Sequence, residues 1–319
     1  MNPLYLTEGD VTATLTIRDA LTLVEDAARA LAENRAQNRP RQRAYTSSSV
    51  IQVLAAAYGG RMGHKTYTVA PKGRGARFWY TLFDESGEML AIMEADALGQ
   101  IRTGAASGVA TRFLAREDAS TLGIIGTGWQ ARSQLEACFH VRNFSRIRVY
   151  GRDEKRRTDF CDLMREKVSA KIEPVPTARE AVADADVICT MTNSSTPVFE
   201  GAWLREGTHV NAAGSNRANA QEIDIQTVTR AAVVAIEDIA QAKVESGDLR
   251  AANETAHWSW DHATRLSDII AGHALGRTAE DQITLFESLG IGLWDIAAAS
   301  HVFDACVIEG RGEQLPIPS

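Results

Sequence analysis

Two groups of residues have types and spacing suited to binding a nucleotide. Gly126-Thr127-Gly128-Trp129-Gln130-Ala131 has the spacing G-x-G-x-x-A and follows a short apolar run at 121–125. Ala131, Leu135 and Phe139 then recur at steps of four, a helical period. Strand, glycine turn and helix is the context in which a backbone can close on a pyrophosphate. Gly126 permits the tight turn, Gly128 puts no side chain in the way of the phosphates, and Ala131 lets helix and strand pack closely. The positive end of the helix adds attraction for an anion. All six residues are candidate cofactor contacts; the plain alternative is a glycine-rich turn with no ligand. The second group follows the next strand, at 146–150. Where an acid would grip a ribose diol the chain has Gly151, then Arg152, with Arg156 and Arg157 one turn on. An unopposed guanidinium suits a ribose 2′-phosphate, so NADP(H) is favoured and NAD(H) stands second. Asp153 is the counterweight, either as a ribose ligand or as a helix N-cap. The alternative for the arginines is a solvated helix face.

These groups need a frame. From residue 121 the chain alternates between strand and helix, with strands expected at 121–125, 146–150, 186–191, 208–213 and 231–236 and a last one at 283–286. Thr177 and Glu180 open one of the helices as a capping box. Alternation of this kind implies a doubly wound parallel sheet with helices on both faces. Before it, Thr16 and Asp19 start a helix with an apolar face at Leu21, Val24, Ala28 and Leu31, which the run 38–43 is expected to stop. Residues 45–93 have β texture, with a hairpin turn at Ser86-Gly87, and 101–115 is helical. Residues 247–265 read as polar and irregular, and an apolar helix is expected at 291–299. The fold class is α/β: a Rossmann-type doubly wound sheet at 116–289, inserted into a second α+β substrate and dimerisation domain at 1–115 plus 290–319.

Bulk properties narrow the classes. The chain has 319 residues, 45% hydrophobic and 24% charged, with a net charge of −7. Nothing in it is basic enough for nucleic acid. No run approaches the ~18 apolar residues of a membrane span. The N-terminal residues lack the regions of a signal peptide. Cys138, Cys161, Cys189 and Cys306 are widely spaced and read as reduced core residues without metal-ligand spacing. His257, His262 and His273 show no ligand spacing either. A cytoplasmic protein without a metal is expected.

Several further blocks accompany the glycine turn: Gly63-His64-Lys65, Leu82-Phe83-Asp84 with Gly87, Arg102-Thr103-Gly104-Ala105-Ala106-Ser107, Asn211-Ala212 with Gly214, Glu222-Ile223-Asp224, and Phe286 with Ser288 and Gly290. Together, and in this order, the chain resembles the ornithine cyclodeaminase/μ-crystallin family along nearly its whole length. The resemblance implies a homodimer built through the first domain and an active site in the interdomain cleft. It also implies that Arg41, Lys65 and Arg102 face the substrate. Arg102 and Arg41 would clamp an α-carboxylate, and Lys65 would bind the same end or assist proton transfer. Arginine matches the two oxygens of a carboxylate with two parallel hydrogen bonds. Arg41 lies between Arg39 and Arg43, so a surface position is the competing reading. Ser288 would touch the nicotinamide or its ribose, and Thr192 joins the cofactor contacts.

One departure bears on the reaction. Cyclodeaminases of this family usually carry an Asp two residues after the glycine of the Asn-Ala-x-Gly block, and here that position is Asn216. An amide cannot act as a general base near neutrality. This argues against ornithine cyclisation and leaves hydride transfer to a preformed C=N bond intact. The expected activity is NAD(P)H-dependent reduction of a small carboxylate-bearing imino acid, or reversible amino-acid dehydrogenation. Ser215 and Asn216 are placed to hydrogen-bond the imine nitrogen or the ribose. Tyr67, two residues past Lys65, is a candidate proton donor, and its stronger reading is a half-buried strand residue. Two rivals remain: a cyclodeaminase using Glu222 or Asp224 as base, and a cofactor-gated binding protein like one branch of the family.

Overall fold

A computed structural model describes residues 2–69 and 76–316, so residues 70–75 of the β-textured stretch lie outside the described residues. Two compact units form: Met1–Arg102 with Ile291–Ser319, and Thr103–Gly290. The first division falls inside the helix Asp96–Leu114 rather than after residue 115. Close packing explains this. A Cβ on Gly104 would lie 2.3 Å from the Ser133 carbonyl oxygen, so this part of the helix is pressed against an element of the second unit.

The first unit contains an eight-stranded sheet. Its path runs Glu313–Gln314, Leu4–Leu6, Met89–Glu94, Ala76–Asp84, Arg61–Val69, Val50–Tyr58 and Ala36–Asn38, and Gln42–Tyr45 also pairs with Val50–Tyr58. Leu4–Leu6 and Met89–Glu94 are parallel, and the other neighbours antiparallel. Register places Leu54, Lys65 and Tyr80 side by side across three strands. Side chains alternate across a strand, so Gly63, Lys65 and Tyr67 are buried while His64 and Thr66 are partly exposed on the other face.

The helix Gly292–Glu309 packs against the three central strands and against the helix Ile17–Ala32. Thr16 and Asp19 form the expected capping box. That helix ends earlier than expected, at Ala32. Asn34 takes a left-handed φ of 59° and turns the chain into the strand Ala36–Asn38, a conformation Asn tolerates. The C-terminal helix is also longer than the apolar run 291–299. Beyond Ala299 it becomes amphipathic, with Val302 and Cys306 still buried one turn apart.

The second unit holds eight parallel strands in the order Lys171–Pro174, Arg146–Tyr150, Thr121–Ile125, Val187–Thr190, His209–Ala212, Ile283–Glu287, Ala231–Ile236 and Ala263–Arg265. The sheet is buried on both faces. Leu122, Ile124, Ile147 and Val187 enter one core, and Ile125, Ile188, Val210 and Leu285 enter another. The order reverses between Thr121–Ile125 and Val187–Thr190, the switch point at which such sheets bind ligands beyond their C-terminal strand ends.

Residues 247–265 are not irregular. They form the helix Gly247–Glu254, a short turn at Trp260–His262 and the edge strand Ala263–Arg265. Their polar side chains are used internally. Ser246 Oγ accepts the Leu249 amide at 3.0 Å, and Asp248 accepts the amides of Glu222 and Ile223 at 2.8 and 3.0 Å.

Candidate active site

At the switch point Gly126 has a φ of 111°, and its amide donates to the Tyr150 carbonyl. A Cβ there would sit 2.2 Å from the Met191 carbonyl oxygen, so only glycine fits. Gly128 caps the helix Trp129–Val141 with no side-chain bond, and a Cβ on it would meet nothing within 4 Å. A turn that tight, opening onto a bare helix start, fits a pyrophosphate. Ala131 is fully buried beneath it. Thr127 packs against Gly151, where a Cβ would lie 2.9 Å from its side chain. Gln130 is partly buried, while Trp129 is exposed, with the Arg132 guanidinium 5.2 Å from its ring centre.

Past the second strand the four charged residues separate by role. Asp153 is the N-cap of the helix Glu154–Arg165, and its carboxylate accepts the Arg156 amide at 2.8 Å. Arg157, grouped with the anion-facing arginines on sequence, is buried and donates to the Gly151 carbonyl at 2.8 Å. It lies on the helix face of Phe160, Cys161 and Met164. Arg152 and Arg156 remain exposed.

Neither acid proposed as an alternative base is available for that work. Glu222 accepts from Thr190 Oγ1, the Thr192 amide and the Gly214 amide, which ties together the loops that follow two neighbouring strands. Burial pushes its pKa up, and these hydrogen bonds oppose the rise. Asp224 accepts the Gly201 and Thr227 amides as a helix cap. Ser215 and Asn216 sit partly buried in the loop after His209–Ala212, and Thr192 in the loop after Val187–Thr190. Ser288 is buried and contacts the Glu237 carboxylate at 3.3 Å, while Glu237 also accepts the Leu289 and Gly290 amides.

The first unit gathers the three cations. Lys65, Arg102 and Arg41 are 3%, 6% and 8% exposed, so Arg41 is not a surface residue. Lys65 Nζ and Arg102 Nε both donate at 2.8 Å to a single oxygen, Oδ1 of the fully buried Asp295. Arg102 Nη1 is buried without a hydrogen-bond partner in the protein. Burial, with Arg102 and Arg41 nearby, lowers the pKa of Lys65 to about 7, while Asp295 pulls it upward. Tyr67 is structural: its hydroxyl donates to Gln52 at 2.8 Å. The sequence reading missed Asp295. Its signal was a lone acid inside the apolar run Ile291-Gly292-Leu293-Trp294-Asp295-Ile296, since a buried charge needs a partner.

Among the described residues no group of His, Cys, Asp and Glu could hold a metal ion, and no helix is long and apolar enough to cross a membrane.

Known proteins share this fold. A Delta(1)-pyrroline-2-carboxylate reductase of Bacillus cereus is 40% identical over 232 residues, 72% of this chain and 71% of that protein. The structure of the Thermococcus litoralis Delta(1)-pyrroline-2-carboxylate reductase in complex with NADH and L-proline superposes with a TM-score of 0.93 at 30% identity, covering 98% of this chain and 100% of that one. An archaeal alanine dehydrogenase dimer with bound NAD gives 0.94 at 30% identity and covers both chains fully. Residues 1–309 match the profile of the ornithine cyclodeaminase/mu-crystallin family, and the chain belongs to that family.

Proposed function

We propose that the protein is an oxidoreductase that reduces a small imino acid, of the class of Delta(1)-pyrroline-2-carboxylate, with a nicotinamide cofactor. The observation that carries this reading is the buried Lys65–Arg102 pair with Arg41 beside it. Such a cluster suits an anionic group, and Arg102 Nη1 is buried with no hydrogen-bond partner among the described residues. Gly126, Thr127, Gly128, Trp129, Gln130 and Ala131 hold the dinucleotide, with Thr192, Ser215 and Ser288 at the nicotinamide end. The reduced cofactor supplies the hydride. Arg102 and Arg41 hold the substrate carboxylate and so orient its α-carbon; Lys65 gives a proton to the imine nitrogen. Asn216 leaves the cyclodeaminase position without a base, and Glu222 and Asp224 are committed to backbone amides.

The exposed Arg152 and Arg156, with Asp153 occupied as a cap, favour NADP(H) over NAD(H). Replacing both arginines with alanine should lower the ratio of kcat/KM for NADPH to that for NADH by about ten- to a hundredfold, the value of hydrogen bonds to a charged group. An unchanged ratio removes the 2′-phosphate reading. The first unit presents Ile51, Met62 and Trp79, each more than a third exposed, on the sheet face opposite Lys65. An apolar sheet face of this kind supports a homodimer formed through it.

The test is loss of NADPH or NADH absorbance with Delta(1)-pyrroline-2-carboxylate, its six-membered homologue, and pyruvate plus ammonia. Oxidation of cofactor by a cyclic imine is expected. Ammonia release from ornithine without net oxidation would mean a cyclodeaminase. Tight cofactor binding with no turnover on any substrate would mean a binding protein.

A further inference from the structure

Asp295 stands at the first turn of the helix Gly292–Glu309, far in sequence from the cations it contacts. Its Oδ1 receives both Lys65 Nζ and Arg102 Nε, and its Oδ2 is buried without a hydrogen-bond partner. Arg102 is held by one edge, which leaves the Nη1 side for another acceptor. The cations bonded to this carboxylate come from two elements, Lys65 from the strand Arg61–Val69 and Arg102 from the helix Asp96–Leu114, and Arg41, from the segment before Gln42–Tyr45, acts on Lys65. The un-ionised Tyr80 hydroxyl comes from Ala76–Asp84, and it too is buried without a partner. One carboxylate shared by Lys65 and Arg102 leaves this trio with positive charge in excess. That is the balance a carboxylate ligand requires.

We propose that Asp295 is a positioning residue for imine reduction: one carboxylate oxygen locks the ammonium of Lys65 and the Nε edge of Arg102, so that Arg102 turns its remaining donors to the substrate carboxylate and Lys65 turns its proton to the imine nitrogen. The inference rests on the reading of the site as an imino-acid reductase. Asp295 acts through the two cations it binds. Its negative charge also favours the protonated form of Lys65, and removing it should extend the range over which the lysine is neutral.

The experiment compares wild type, Asp295→Asn and Asp295→Glu. Two quantities are followed: the pH profile of kcat/KM, and binding of pyrrole-2-carboxylate, which has the ring carboxylate but no reducible C=N bond. For Asp295→Asn we expect KM and the pyrrole-2-carboxylate Kd to rise about tenfold or more, because a buried charge pair has lost one member. The Lys65 limb should also move to lower pH by about one unit, since a neighbouring counter-charge is gone. NADH or NADPH affinity should be unchanged. A purely structural aspartate would lower the melting temperature and leave the limb where it is. Asp295→Glu keeps the charge, so its limb should stay near the wild-type pH while KM rises. If Asp295→Asn does not fold, the Glu variant alone decides, and a wild-type KM there overturns the proposal. An unmoved Kd and pH limb in Asp295→Asn overturn it equally. Wild-type protein that neither binds pyrrole-2-carboxylate nor reduces any imine refutes the reductase reading itself, a result distinct from both.

Discussion

Lys65→Met is expected to lower kcat/KM for imine reduction by about a hundred- to a thousandfold, within the range of a lost general acid, while nucleotide affinity stays at its wild-type value. The pH dependence gives the sharper check. Lys65 titrates at about 7 in the folded protein, held there chiefly by burial and then by Arg102. Below that pH it is protonated and can give a proton to the imine nitrogen. Reductive kcat/KM, which reports the free enzyme, should therefore fall as pH rises through about 7. Oxidation of the amine needs the neutral lysine as base, so its rate should rise through the same pH. In the methionine variant both limbs should vanish. Initial rates in the two directions between pH 5.5 and 9 (roughly one and a half to two units either side of the midpoint, enough to define a single titration) measure this. Persistence of either limb in Lys65→Met would assign the titration to another group.

The second large effect lies in the other unit. Gly126→Ala places a methyl 2.2 Å from the Met191 carbonyl oxygen and asks alanine to adopt a φ of 111°. Both the clash and the conformation are costly for a residue with a side chain. The strand end carrying Met191 must move, and that strand is central to the sheet. Cofactor binding should become undetectable and the melting temperature should fall by several degrees, as expected of a loss of about 1–3 kcal/mol at a strained position. Gly128→Ala provides the contrast. Its methyl meets no protein atom within 4 Å, so the melting temperature of the cofactor-free protein should hold while nucleotide affinity drops. Thermal unfolding with and without NADPH or NADH separates the two. A Gly128→Ala protein that binds the cofactor normally would place the pyrophosphate elsewhere.

The sequence discloses this second unit well because its elements report themselves locally. Apolar runs end in glycines, and helical steps of four begin at Ala131, so strand, turn and helix are legible without knowledge of distant contacts. Lys65 was legible only through the family resemblance, since a lysine in a β stretch is ordinarily solvated; strand alternation adds that His64 points to the other face. Phase also contained information about Arg157: it stands three, four and seven residues before Phe160, Cys161 and Met164, which marks the buried side of the helix. Residues 247–265 misled for a different reason. Polarity usually indicates solvent, but here Asp248 satisfies the backbone amides of Glu222 and Ile223, a tertiary pairing. Asp295 was the largest omission. An acid in an apolar helix signals that a buried cation exists somewhere, yet the identity of that cation depends on register between strand and helix, which no local pattern records.

The sequence distance between Asp295 and its partners bears on how the protein is made. Lys65 and Arg102 precede Asp295 by 230 and 193 residues, and the strand Leu4–Leu6 pairs with the final strand Glu313–Gln314. During synthesis the chain emerges N-terminal end first. Until the helix Gly292–Glu309 and the strand Glu313–Gln314 are made, Lys65 and Arg102 lack the carboxylate they share and Leu4–Leu6 lacks one of its two neighbours. The ion-pair network of the first unit therefore cannot be completed before the chain reaches Asp295.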